Sequence, residues 1–171
     1  MVFRQSLGYT IRTKEHSLKL IKNKEGELPQ YQIVGSIDET SDFEMIIVQG
    51  KELHLDCYEV ARINLVGVKK WIRYFNDLNE KGIELFFYAV SSALVSQLNV
   101  IKNFRSGGTV VSVSLPFLCT HCNLPSIEVR KKSEVMGVDF ENEVFPCPHC
   151  GNKAMKFDDD PEEYFHFWTE E

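Results

Sequence analysis

Residues 66–90 read VGVKKWIRYFNDLNEKGIELFFYAV, and this stretch decides the fold. Val68, Trp71, Ile72, Phe75 and Leu78 recur at steps of three and four, which lays them along one face of an α-helix. Lys69, Lys70, Arg73 and Asn76 fall on the other side, and Gly82 supplies the stop. Ile83 to Val90 is then an apolar run that reads as a strand.

The same alternation continues outward in both directions. Downstream, Ser91 or Ser92 caps a helix carrying Leu94, Val95, Leu98, Ile101 and Phe104, ended by Gly107-Gly108, and Thr109 to Leu115 is a β-branched strand. Upstream, Leu18 and Leu20 mark a first strand, Lys22 to Glu27 a turn, and Tyr31 to Ile37 a second strand. Ser41-Asp42-Phe43-Glu44 has the form of a capping box, predicting a two-turn helix that stops at Gly50. Glu52 to Tyr58 alternates, with Leu53, Leu55 and Cys57 on one face and His54 on the polar face. His54 and His16 therefore read as solvated, and Cys57 as a small core residue. Strands alternating with helices predict an α/β domain, a mixed β-sheet with helices packed on it. The expected organisation is an N-terminal extension over 1–15, the α/β domain over 16–118, a small zinc ribbon over 119–157 and an acidic, aromatic tail over 158–171.

The ribbon rests on Cys119-Thr120-His121-Cys122 and Cys147-Pro148-His149-Cys150. Each C-x-x-C turn aims two sulfurs at one ion, and two such turns supply the four thiolates of a structural zinc site. The residue after each pair often needs a positive φ, and Asn123 and Gly151 both tolerate it. Buried core cysteines or two redox pairs are the competing readings, and His121 or His149 could stand in for a cysteine. A closed set of four sulfurs leaves no position for water or substrate, so the expected single zinc stabilises the fold rather than catalysing.

The chain has 171 residues, 43% hydrophobic and 26% charged, the balance of a soluble globular protein that needs no disulfides. Its first residues show no apolar signal core, its apolar runs are far too short to span a bilayer, and its cysteines suit a reducing cytoplasm. The net charge of −6 is uneven: residues 1–118 sum to +1 and residues 119–171 to −7. Phosphate binding depends on Lys and Arg, so an acidic ribbon is a poor nucleic-acid reader. The chain contains no P-loop, G-x-G-x-x-G, G-x-S-x-G or H-E-x-x-H pattern, and an enzyme is not expected.

Ile33-Val34-Gly35-Ser36-Ile37-Asp38-Glu39, then Leu53-His54-Leu55-Asp56, then Ile63-Asn64-Leu65-Val66-Gly67-Val68, taken in that order, are similar to the STAS domain family, which includes the bacterial anti-sigma factor antagonists. The resemblance covers roughly residues 16–118. It implies a small binding domain that docks a protein partner through the turn into its first long helix, here Asn64, Leu65, Val66, Gly67 and Lys69. In the antagonists a serine just before the motif's glycine is phosphorylated. That position is Val66 in this chain, so phosphorylation there is not possible. The expectation is a non-catalytic bacterial, cytoplasmic regulatory module with a protein partner and no direct membrane insertion. The alternatives are a nucleic-acid-binding zinc ribbon, with Lys69, Lys70 and Arg73 as its basic stripe, and an accessory subunit of a membrane transport complex. The tail is expected to form a short helix over 161–168, capped by Asp160 with Pro161 at its first position, that folds back on the protein's own body.

Overall fold

A computed structural model describes residues 17–169. The N-terminal extension and His16 lie outside the described residues. Two sheets make up the molecule. The first contains β1 (Lys19–Lys22), β2 (Tyr31–Ile37), β3 (Glu52–Asp56), β4 (Val60–Ile63), β5 (Glu84–Tyr88) and β6 (Thr109–Val110). Its order is β1-β2-β3-β5-β6, with β1 antiparallel to β2 and the rest parallel, while β4 lies beside the far half of β2. Parallel neighbours need crossover connections, and α1 (Leu65–Glu80) and α2 (Ser92–Val100) provide them.

Helix α1 forms as its spacing requires. Val68, Trp71, Phe75 and Leu78 are buried, and the edge of Phe75 meets Phe87 of β5. The Trp71 indole stacks on Phe104 at 5.4 Å and donates its Nε1–H to the Phe104 carbonyl at 3.0 Å, so the buried donor is satisfied. Each large side chain so buried contributes about 1.5–3 kcal/mol.

Two local expectations are corrected. Residues 41–50 form turns, not a helix. The Ser41 hydroxyl accepts from the Asp38 N–H at 2.8 Å and Asp42 Oδ1 from the Glu44 N–H at 2.9 Å, side-chain bonds that compete with helix formation. Phe43, packed against Trp71, Tyr74 and Phe75, then pins the segment across α1. The polar-face reading of His54 also fails: it is only 6% exposed. β3 lies between β2 and β5, so side chains of the adjacent strands stand beside His54 on its own face. The His54 ring stacks on Phe86 at 4.5 Å, and its two nitrogens meet the Tyr88 hydroxyl at 2.9 Å and Glu52 at 3.0 Å.

The strand expected at 109–115 is two strands. β6 breaks at Val111, and β7 (Ser112–Cys119) runs straight into the first cysteine. Its start is fastened to the end of β5: the Val90 N–H donates to the Ser112 carbonyl and the Ser114 N–H to the Val90 carbonyl, each at 3.0 Å. The Ser112 and Ser114 hydroxyls bond the N–H and carbonyl of Ala89, holding that residue at φ 47°. β7 then joins an antiparallel sheet with β8 (Pro125–Lys131), β9 (Phe145–Pro146) and β10 (Lys153–Phe157), in the order β8-β7-β10-β9. One strand thus belongs to both halves of the molecule. Helix α3 (Lys132–Val135) follows β8.

The tail closes back over this junction as α4 (Pro161–Tyr164) and α5 (His166–Thr169), two short pieces rather than one helix. Asp160 caps the first, accepting from the Glu162 and Glu163 N–H groups at 2.9 and 3.1 Å. Tyr164, Phe167 and Trp168 are buried. Asn99 of α2 clamps the tail, donating to the Glu163 and Tyr164 carbonyls and accepting from the Phe167 N–H. No helix among the described residues is long and apolar enough to cross a membrane.

Candidate metal centre

β7 delivers Cys119 at its last position, and a tight turn brings Cys122 round beside it. The Asn123 N–H donates to the Cys119 carbonyl at 2.9 Å, and the Cys119 N–H to the Leu124 carbonyl at 3.1 Å. The second turn repeats the pattern: the Gly151 N–H donates to the Cys147 carbonyl at 2.9 Å and the Cys147 N–H to the Asn152 carbonyl at 2.8 Å. Closing each knuckle requires a left-handed residue after the second cysteine, and Asn123 and Gly151 have φ of 56° and 73°. Both residues are where the sequence reading put them.

The four sulfurs of Cys119, Cys122, Cys147 and Cys150 all lie within 4.8 Å of one another, close enough to hold a metal ion. Two cross-knuckle separations, Cys119 to Cys150 and Cys122 to Cys147, are each 3.8 Å. A disulfide needs about 2.05 Å, and all four cysteines are free. Sulfurs bound at about 2.3 Å around a tetrahedral ion stand about 3.8 Å apart, so the donor set already has the dimensions of such a site.

The surroundings favour thiolates. The Cys122 and His149 N–H groups point at the Cys119 and Cys147 sulfurs at 3.5 and 3.4 Å, and the Asn152 amide at Cys150 at 3.6 Å. The Cys122 N–H, with help from that of His121, holds the Cys119 thiol down to about 6. For Cys122, the Leu124 N–H pulls in the same direction, but burial and the three neighbouring sulfurs prevail and push it up to about 12. Four thiols this close cannot all ionise alone; a bound cation removes that conflict.

The two histidines inside the knuckles are not in the donor set. His149 Nε2 meets the Pro125 carbonyl at 3.1 Å, tying the second knuckle to the start of β8. His121 Nδ1 meets the Asn152 amide at 3.1 Å, so Asn152 bridges the two knuckles. Cys57 is fully buried, away from this cluster, and burial pushes its thiol far above the ordinary range. Its reading as a core residue fits that position.

The suggested docking residues form the N-cap and first turns of α1. Asn64 caps the helix, accepting from the Gly67 N–H at 2.8 Å, and its amide donates to Glu39 at 2.9 Å. Gly67 is packed against the Ile37 carbonyl. Leu65 and Val66 remain 70% and 45% exposed, and Lys69 is exposed beside them. Lys70 is engaged, donating to the Glu39 and Ser41 carbonyls, which interrupts the basic stripe. Sequence reasoning missed one cluster altogether. Glu52, His54 and Tyr88 form a hydrogen-bonded chain, and His54 and Tyr88 line an open groove of about 650 Å³ bordered by Lys131 and Lys132. The signal available was the alternation of Glu52, His54 and Asp56 opposite Phe86 and Tyr88, but only the pairing register reveals it. No family model, curated protein or solved structure matches the chain.

Proposed function

We propose that this chain is a non-catalytic regulatory docking module of the STAS type, stabilised by one structural zinc ion, which binds a protein partner through the tip of α1. The observation that carries the docking reading is the exposed Leu65–Val66 pair on a fixed base. Asn64 ties the tip to Glu39, Gly67 seats it on β2, and Lys70 fastens the 39–41 turn beneath it. An apolar tip presented this rigidly loses little freedom on binding, which favours recognition. The element order supports the STAS reading: an antiparallel hairpin, then parallel strands linked by α1 and α2. Val66 has no hydroxyl, so phosphorylation at this position cannot switch the docking.

Zinc is the ion that best suits four sulfurs in a closed tetrahedron, since soft thiolate donors in this geometry select it over oxygen-preferring cations. Its role is to join the two knuckles and so to hold β7, β9 and β10 in register.

The test compares captured partners of the wild type, Leu65→Asp, Val66→Lys and a Val100→Lys control at the exposed end of α2. Loss of the same partner from both tip variants, with retention by the control, supports the reading. Equal capture by all four proteins contradicts it.

A further inference from the structure

We propose that β8 is a self-recognition edge, through which two copies of this chain pair antiparallel to extend the ribbon sheets into one. β8 is the outer strand of its sheet. Its pairing with β7 fixes which backbone groups are spent. The Cys119 N–H bonds to the Leu124 carbonyl, so in the alternating ladder residues 126, 128 and 130 turn their backbone groups toward β7. Pro116, which lacks an N–H, stands opposite Ile127, where the ladder asks for none. Residues 125, 127, 129 and 131 therefore turn theirs outward.

Both ends of that outer edge are closed. At one end Pro125 has no N–H, and its carbonyl meets His149 at 3.1 Å. At the other, the Lys131 N–H donates to Glu134 of α3 at 2.7 Å. Between them the N–H and carbonyl groups of Ile127 and Val129 are open, with no backbone or side-chain partner among the described residues. The two side chains are 55% and 46% exposed. Proteins guard sheet edges with proline, charge or a covering segment. Here the guards stand only at the two ends and leave a window of one repeat.

The window matches itself. When β8 is laid antiparallel on a second β8 with Glu128 at the two-fold, Ile127 faces Val129 of the other copy, and the reverse pair forms as well. Each of these is a hydrogen-bonded pair, so the four open groups on each copy are satisfied with none left over. Ile–Val pairs stack on one face of the joined sheet. On the other face each Glu128 already binds Arg130 of its own strand through Nε at 3.1 Å and through Nη2. Across the axis Glu128 lies diagonal to the second copy's Arg130, so two carboxylates and two guanidinium groups alternate. A slip that still pairs outward-facing groups moves by two residues, and it would leave Ile127 facing the already closed Lys131 N–H or Val129 facing Pro125, which has no N–H, so the register is fixed. This edge is remote in sequence from the α1 tip, and the inference does not depend on the docking proposal.

The experiment is sedimentation of the full chain together with register-specific crosslinking. The wild type sediments at twice the 19.8 kDa chain mass, while Ile127→Lys and Val129→Lys each halve that mass without lowering the melting temperature, since both side chains are exposed. Under mild oxidation Glu128→Cys forms a crosslinked dimer through residue 128, because the two-fold brings that position against itself. Arg130→Cys, offset by four residues from its own copy, does not. A wild type that sediments as a single chain overturns the proposal. So does a dimer that survives both lysine variants, or one that crosslinks through position 130 as readily as through 128.

Discussion

A Cβ added at Gly67 would lie 2.2 Å from the Ile37 carbonyl oxygen, with backbone rather than a flexible side chain in the way. Gly67→Ala must therefore push α1 off β2, and the expected cost is about 1–3 kcal/mol in a denaturant titration. Leu65→Ala, two residues away and exposed, should change the same titration by no more than about 0.5 kcal/mol. Equal effects from the two variants would contradict the seating described here. At this scale much was legible. Asn64 and Gly67 read as turn residues because a short polar side chain and a missing one are what a strand-to-helix turn needs. Asn123 and Gly151 read as left-handed for the same kind of reason. His54 was not legible, because alternation along one strand says which face a residue takes but not what lies over that face.

The elements differ in how much of their cause is local. α1 carries its reason in its own sequence, a stripe of apolar residues and a glycine stop. The 41–50 segment carries equally good local signals for a helix, yet Ser41 and Asp42 bond back to nearby N–H groups and Phe43 finds a better site against Trp71 and Tyr74. Tertiary packing overrides the capping pattern there. β4 has only four residues and pairs with β2 through a register shift, so no periodicity announces it. The tail is the opposite case, since aromatics this dense have to be covered. Tyr164 donates to the Ser114 carbonyl, and burial pushes its phenol up to about 12. Truncation after Asp158 removes three buried aromatics, each contributing about 1.5–3 kcal/mol, and should lower the melting temperature of the isolated protein. Asn99→Ala should reproduce part of that loss. An unchanged melting curve on truncation would mean that the tail adds nothing to the fold.

At the scale of the whole molecule, β7 is the link that makes two modules one body. It begins against Val90 of the α/β sheet and ends at a metal-binding cysteine, and its Val113, Leu115 and Phe117 belong to one continuous core. The alternating strands and helices, the two knuckles and their close junction could be read from the chain. The sharing of one strand could not, because the break at Val111 depends on bonds made to Phe87, Ala89 and Val90. This continuity means that events at the sulfurs should be felt by the entire protein rather than by the ribbon alone. The most direct measurement is metal content by elemental analysis, paired with thermal melting of the full chain, for the wild type, the chelator-treated protein and Cys147→Ser. One zinc per chain is predicted for the wild type, with zinc and melting temperature falling together on chelation and in the variant. A wild type that purifies free of metal and melts unchanged in the presence of chelator would contradict the account.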